Sequence, residues 1–214
     1  KDRDGIVTIK GFYDGIKISD KAKEVMAKVP DDEKELQRSI GISEIDKVAS
    51  NYQESIQYPS LNVRGLQSGW VEKEVRTIIP SYALAEIDVR LVKETDAEKL
   101  ISLIKEHIEN EGYHLTLDDP TDEERSQHGR IATFNYKISY SAFRTPIDSE
   151  IGRWLTLAIQ NGFDKDPIIK RTSGGSVPIS PFVNTLNVPA VTVPTVNPDN
   201  NQHSPNENVR VGNL

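Results

Sequence analysis

Ala83-Leu84-Ala85-Glu86-Ile87-Asp88-Val89-Arg90-Leu91-Val92 alternates apolar and polar side chains along nearly its whole length. Successive side chains of a strand point to opposite faces. One face therefore carries Ala85, Ile87, Val89 and Leu91, and the other Glu86, Asp88 and Arg90. The pattern predicts a strand with its apolar face on a core and Arg90 on the opposite side. Directly after it, Thr95-Asp96-Ala97-Glu98 has the spacing of a capping box. It opens a predicted helix with Ala97, Leu100, Ile101, Ile104 and Ile108 on one stripe and Gly112 at its end.

Outward from this unit the same grammar continues. Ser60 to Leu66 alternates as a strand with one wet face, and Tyr113 to Leu117 is a further strand. A polar loop, Asp118 to Gly129, leads to a last long strand with Ile131, Phe134, Tyr136, Ile138 and Tyr140. Strand, strand, helix, strand, strand predicts an α+β lobe, an antiparallel sheet covered by helices. Further upstream, Ile6 to Ile9 is a short apolar run ending at the Gly11 and Gly15 turns. Ser19 to Ser50 is helical and very polar, broken at Pro30 and Gly41, and reads as an exposed excursion. Asp31-Asp32-Glu33 fits the acidic first turn of a helix.

After Ser141 the grammar changes to α/β. Thr145-Pro146 predicts a helix start, with Ile151, Leu155, Ala158, Ile159 and Phe163 as its apolar face and Gly162 near its end. Ile168-Ile169 predicts a short strand, Gly174-Gly175 a tight loop, and Val188 to Val193 a buried strand. A lobe boundary is expected between residues 140 and 146.

The 214 residues suffice for two small domains. The net charge of −7 argues against nonspecific nucleic-acid binding, which needs Lys and Arg to displace counterions. No apolar run approaches the roughly 20 residues that cross a bilayer. The chain has no cysteine, so any metal must be held by His, Asp or Glu. Lys1 to Gly5 is neither a signal peptide nor an initiator sequence, and the expectation is a piece of a longer chain. A cytoplasmic location is expected.

Of the four histidines, His107, His114 and His128 lie in a helix, a strand and a polar loop and form no His-x-x-x-His or His-x-Asp pair. His203 sits in a polar loop just beyond the predicted strand ending near Val193, where open α/β sheets gather their ligand sites. A neutral imidazole there suits zinc, and Glu207 would orient its ring. Spacing alone favours a surface-loop histidine. Gly174-Gly175-Ser176 is either an anion-holding turn before a helix or a simple turn with a serine N-cap. Glu123-Glu124 lies in a charged loop and reads as a solvated turn, not a catalytic carboxylate pair.

Five stretches in register carry a resemblance. They are Tyr58 to Leu66, Arg76-Thr77-Ile78-Ile79-Pro80, Glu86 to Val92, Gly174-Gly175-Ser176-Val177-Pro178 and Gln202-His203-Ser204-Pro205-Asn206-Glu207. Together they resemble the di-zinc metallopeptidase family of carnosine dipeptidases, aminoacylases and glutamate carboxypeptidases, the carnosinase-like dipeptidase branch above all. The resemblance implies an α+β lid, residues 1–143 with its start missing, inserted in an α/β zinc-peptidase catalytic domain. Residues 144–214 would be the C-terminal half of that catalytic domain. It further implies a homodimer formed through the lid.

By the same resemblance His203 is the last metal ligand, with Glu207 behind it. Thr77 and Arg90 are lid residues that reach substrate, and Gly175 and Ser176 contact it from the catalytic domain. The implied activity is hydrolysis of a peptide or N-acyl amino acid with a free carboxylate, using two zinc ions. Arg90 suits that carboxylate because its planar fork donates two parallel hydrogen bonds. The family's His-x-Asp motif, bridging Asp, Glu-Glu pair and remaining carboxylate ligand have no counterpart here. The chain by itself is therefore expected to be inactive and to hold no stable zinc pair. The alternatives are a non-catalytic dimerisation or ligand-binding module and an anion binder using Gly174 to Ser176.

Overall fold

The structure, a computed structural model, describes residues 1–213. Three short helices open the chain: α1 (Asp20–Met26), α2 (Glu33–Ile40) and α3 (Tyr52–Ser55). Each starts on a side-chain cap: Ser19, Asp32 and Asn51 accept backbone N–H groups of the first turn. Asp32 confirms the acidic helix start, and Gly41 closes α2 in the left-handed region at φ 71°. The excursion reading holds only for α2, which buries nothing. Ala22, Met26 and Val29 are buried, so α1 and the turn after it belong to the packed body.

β1 (Ser60–Ser68) and β2 (Ala83–Arg90) form an antiparallel ladder with Ser60 opposite Arg90 and Leu61 opposite Val89. A bulge between Val63 and Gly65 shifts the register. Helix α4 (Ala97–Asn110) follows and buries Leu100 and Ile104. Its cap differs from the predicted box. Asp96 accepts from Lys99 N at 2.8 Å, while the Thr95 hydroxyl turns back to the Val92 carbonyl.

β3 (His114–Thr116), α5 (Asp122–Gln127) and β4 (Ile131–Thr133) come next. The expected all-antiparallel sheet is corrected here. β3 and β4 run parallel as a separate pair, and the predicted long strand is laddered only at its first three residues. The helix α5 between them, absent from the sequence reading, is what makes a parallel crossover possible. Its start is a full capping box of Thr121 and Glu124.

The core gathers Val7, Phe12 and Leu100, with Ile9, Tyr13, Leu61, Val89, Leu91 and Leu103 packed on it. The Ile6 to Ile9 run is thus core, though not strand; the Val7 N–H donates to the Tyr13 hydroxyl at 2.8 Å. Only one end of β2's apolar face reaches this core. Val89 and Leu91 pack there, whereas Ile87 is 43% exposed.

The C-terminal part holds α6 (Glu150–Phe163) and α7 (Ser180–Leu186). Helix α6 is capped by Ser149 and starts at Glu150, four residues after the Pro146 start predicted from sequence, and it ends on Asp164 in the left-handed region. Ile151, Leu155 and Ile159 are half-buried, but Ala158 and Phe163 are exposed. The two predicted strands at 168–169 and 188–193 have no ladder among the described residues. Val188, Val191 and Val193 are each more than 40% exposed, so the buried-strand expectation is corrected too. Such apolar β-branched runs need strands on both sides to be buried. Total accessible surface is 16370 Å² for 24.0 kDa, against roughly 10,000 Å² for a compact monomer of that mass.

Candidate functional site

Arg90 is the last residue of β2 and stands on the exposed side of its strand, as the alternation requires. Its Nε donates to Asp88 Oδ2 at 2.5 Å and its Nη1 to Ser176 Oγ at 2.7 Å. Asp88 lies on the same face two residues earlier, so strand geometry alone aims it at the guanidinium. Ser176 is 86 positions away in sequence. Two of the predicted substrate-binding residues therefore meet. They line an open groove of about 2000 Å³ along β2, to which Gly175 also contributes.

The turn bearing Ser176 is shaped by Gly174 at φ 75°, a value only glycine adopts freely. A Cβ at Gly174 would touch Ile56 at 3.5 Å. Ser176 is not an N-cap. Helix α7 starts four residues on, with Ile179 at its N-cap, so the anion-binding reading of Gly174 to Ser176 lacks its helix.

Thr77 and His203 lie elsewhere. Thr77 is exposed in the connection between β1 and β2, where Arg76 covers Trp70 at 5.6 Å. His203 is exposed in a turn with φ 63°, and no hydrogen bond or ion pair joins it to Glu207 among the described residues. Buried asparagines organise that loop: Asn197 accepts from Arg210 N at 2.9 Å and Asn200 from Gln202 N at 2.9 Å. Hydrogen bonding from Asn197 also lowers the Asp199 pKa. The asparagine-rich run 197–201 was the available signal for these anchors.

Among the described residues, no group of three or more His, Cys, Asp or Glu side chains is placed to hold a metal. Zinc takes three or four protein ligands. His203 with Glu207 does not fit that requirement.

Glu123 and Glu124 lie in the first turn of α5 rather than in the expected loop. Glu124 accepts from the Thr121 N–H at 2.7 Å, which with the Thr121 hydroxyl lowers its pKa. Beside it the His114 and His128 rings stack at 3.8 Å.

Sequence reading missed a charged cluster behind the groove. The Glu94 carboxylate accepts from both terminal nitrogens of Arg144, one at 3.1 Å, and lies 3.7 Å from Arg171 Nη2. Arg171 Nη1 donates to the side-chain oxygen of Gln57, which is 1% exposed. Burial alone would raise the Glu94 pKa, but Arg144 outweighs it and holds the carboxyl below the ordinary glutamate value. Burial, then the Arg144 charge, lowers the Arg171 pKa. Periodicity gives no hint of such a cluster, because its members come from four separate segments.

Residues 17–116 match the peptidase dimerisation domain of the M20 family, and the chain is similar to M20 metallopeptidases. More particularly, it is similar to a Cys-Gly metallodipeptidase of Saccharomyces cerevisiae, 25% identical over 159 residues, or 73% of this chain and 30% of the relative. The Candida albicans enzyme of the same name is 26% identical, covering 99% of this chain and 42% of its own. Among solved structures, an M20 metallo-carboxypeptidase of Sulfolobus solfataricus matches with a TM-score of 0.75 at 26% identity, over 99% of this chain and 46% of that one. Human carnosine dipeptidase 1 shares the fold, with a TM-score of 0.67 at 21% identity over 99% and 43% of the two chains. The chain thus spans less than half the length of these relatives. No helix among the described residues is long and apolar enough to cross a membrane.

Proposed function

We propose that this chain is part of a zinc-dependent metallopeptidase that hydrolyses dipeptides or N-acyl amino acids with a free carboxylate. In this reading residues 1–143 are the lid through which two copies dimerise, inserted in a catalytic domain whose C-terminal half is residues 144–214. The observation that carries it is the Arg90–Ser176 contact across the proposed boundary. With Nε held by Asp88, Arg90 keeps its outer edge for a ligand. A substrate carboxylate would accept from that edge and from the Ser176 hydroxyl, while Gly175 lets the backbone come close. Thr77 would serve a site it reaches only when the lid meets another subunit.

His203 is proposed as one metal ligand, with Glu207 behind it. The residues present do not complete a zinc site, so no chemical step is assigned to this chain, which supplies holding groups for the substrate. Its own hydrolytic activity is expected to be nil. A second reading is a non-catalytic ligand-binding module, since the Arg90–Ser176 pair could hold a carboxylate without a metal.

Calorimetry with a dipeptide and its C-terminal amide, each with and without added zinc, tests the proposal. Binding of the acid but not the amide, with no hydrolysis and no stoichiometric zinc, is expected of a piece of the enzyme. Equal affinity for acid and amide contradicts the carboxylate site. A parent polypeptide that contains this sequence, loads with zinc and still leaves dipeptides intact supports the non-catalytic module.

A further inference from the structure

Two strand ends meet at Arg90, and each one also grips Arg171. Ser60 at the start of β1 is paired with Arg90 at the end of β2. Three residues before Ser60, Gln57 is fully buried, its amide nitrogen donating to Gln53 O at 2.9 Å and its oxygen accepting from Arg171. Four residues after Arg90, Glu94 takes Arg144 through both carboxylate oxygens and faces Arg171 at 3.7 Å. The Arg171 side chain is only 9% exposed. Arg171 in turn leads by five residues into Ser176, through the Gly174 turn, where an added Cβ would meet Ile56 at 3.5 Å.

The energetics favour this socket over the visible contact as the source of order. The Arg90–Ser176 bond is exposed, and water competes for it. The Glu94 and Arg171 side chains are 22% and 9% exposed, so losing a partner there leaves a charge poorly solvated.

We infer that Glu94 and Gln57 form a socket for Arg171, and that the socket holds the Gly174 to Ser176 turn over the end of β2. Glu94 is then a positioning residue that acts on ligand binding through Ser176 and Arg90. The functional meaning rests on the substrate-holding role proposed above, but the placement itself does not.

The test therefore uses no substrate. In the isotopically labelled chain, the Arg90 Nε–H signal is followed through Ser176→Ala, Glu94→Ala and the double variant. Ser176→Ala is expected to move the signal, Glu94→Ala to move it to the same position, and the double variant to add nothing further. Tryptic cleavage after Arg171 should rise on the order of tenfold in Glu94→Ala as the turn opens locally, while cleavage after Lys99 within α4 keeps its rate. An unmoved Arg90 signal in Glu94→Ala overturns the inference, as does a full Ser176→Ala shift surviving in that background. If Lys99 is cut equally fast because the fold is lost, Glu94→Gln decides instead. It keeps an acceptor but not the charge; a reduced Ser176-dependent shift supports the socket, and an undiminished one overturns it. Failure of carboxylate binding with this coupling intact would sink the substrate proposal alone.

Discussion

Arg90 Nη1 lies 2.7 Å from Ser176 Oγ, while Arg90 Nε is held 2.5 Å from Asp88 on its own strand. A guanidinium with one edge fixed by a neighbouring carboxylate and another touching a hydroxyl is oriented before any ligand arrives, which lowers the ordering cost of binding. Removing Asp88 frees the Arg90 rotamer. Asp88→Asn is expected to weaken binding of a carboxylate ligand by roughly two- to fivefold, within the range of an exposed ion pair. Calorimetric titration of wild type and variant with the same dipeptide checks it, and unchanged affinity contradicts it.

Glu94 predicts a pH dependence. Its folded-state pKa is held below the ordinary value by Arg144 despite burial. The carboxylate therefore contributes stability that is complete above the unfolded pKa of about 4.3 and lost as pH falls through the lower folded value. Urea midpoints of wild type and Glu94→Gln should differ at pH 7 and converge in that acid window. A difference that persists unchanged below it would show that the charge is not the stabilising feature.

Phe12 is 1% exposed and packs edge-on against Tyr13 with ring centroids 5.2 Å apart. Phe12→Ala should cost about 3–5 kcal/mol, a large part of the stability of so small a core. Thermal denaturation is expected to show a lowered and broadened transition. A midpoint within a few degrees of wild type would place the core elsewhere.

The strand pair gives a prediction about assembly. Val63 and Leu66 of β1 and Ile87 of β2 share one face of the ladder and are 43–78% exposed, all within the matched dimerisation domain. An apolar surface of this kind is expected to be covered by a second copy. Leu66→Lys should raise the dimer dissociation constant by at least about tenfold, since burying one leucine is worth roughly 1.5–3 kcal/mol. Sedimentation at several concentrations measures it, and an unaltered dimer would exclude this face.

The local fold was legible wherever one segment carried its own signal. Alternation at Ala83 to Val92 and the stripe from Ala97 to Ile108 gave β2, α4 and the exposed side of Arg90. What failed were features set by partners. The runs at 168–169 and 188–193 have strand-like composition, yet composition cannot provide the neighbouring strands that a ladder requires. Helix α5 was hidden in a charged stretch whose only marker was the Thr121-to-Glu124 spacing. At the site, resemblance named Arg90 and Ser176, and the structure joins them; it leaves Thr77 and His203 apart from the groove. The socket around Arg171 was invisible because Gln57, Glu94, Arg144 and Arg171 share no periodicity.

The proposed clamp of a substrate carboxylate by Arg90 is tested most directly in a zinc-loaded polypeptide that contains this sequence and hydrolyses dipeptides. Steady-state kinetics of wild type and Arg90→Ala are measured on a dipeptide and on its C-terminal amide. A charge-assisted hydrogen bond is worth roughly 1.5–3 kcal/mol, so Arg90→Ala should lower kcat/KM on the acid by roughly 10- to 150-fold. On the amide the loss should be several times smaller, with zinc content unchanged, so that the preference for acid over amide collapses. A variant that keeps the full wild-type preference for acid over amide would contradict the account.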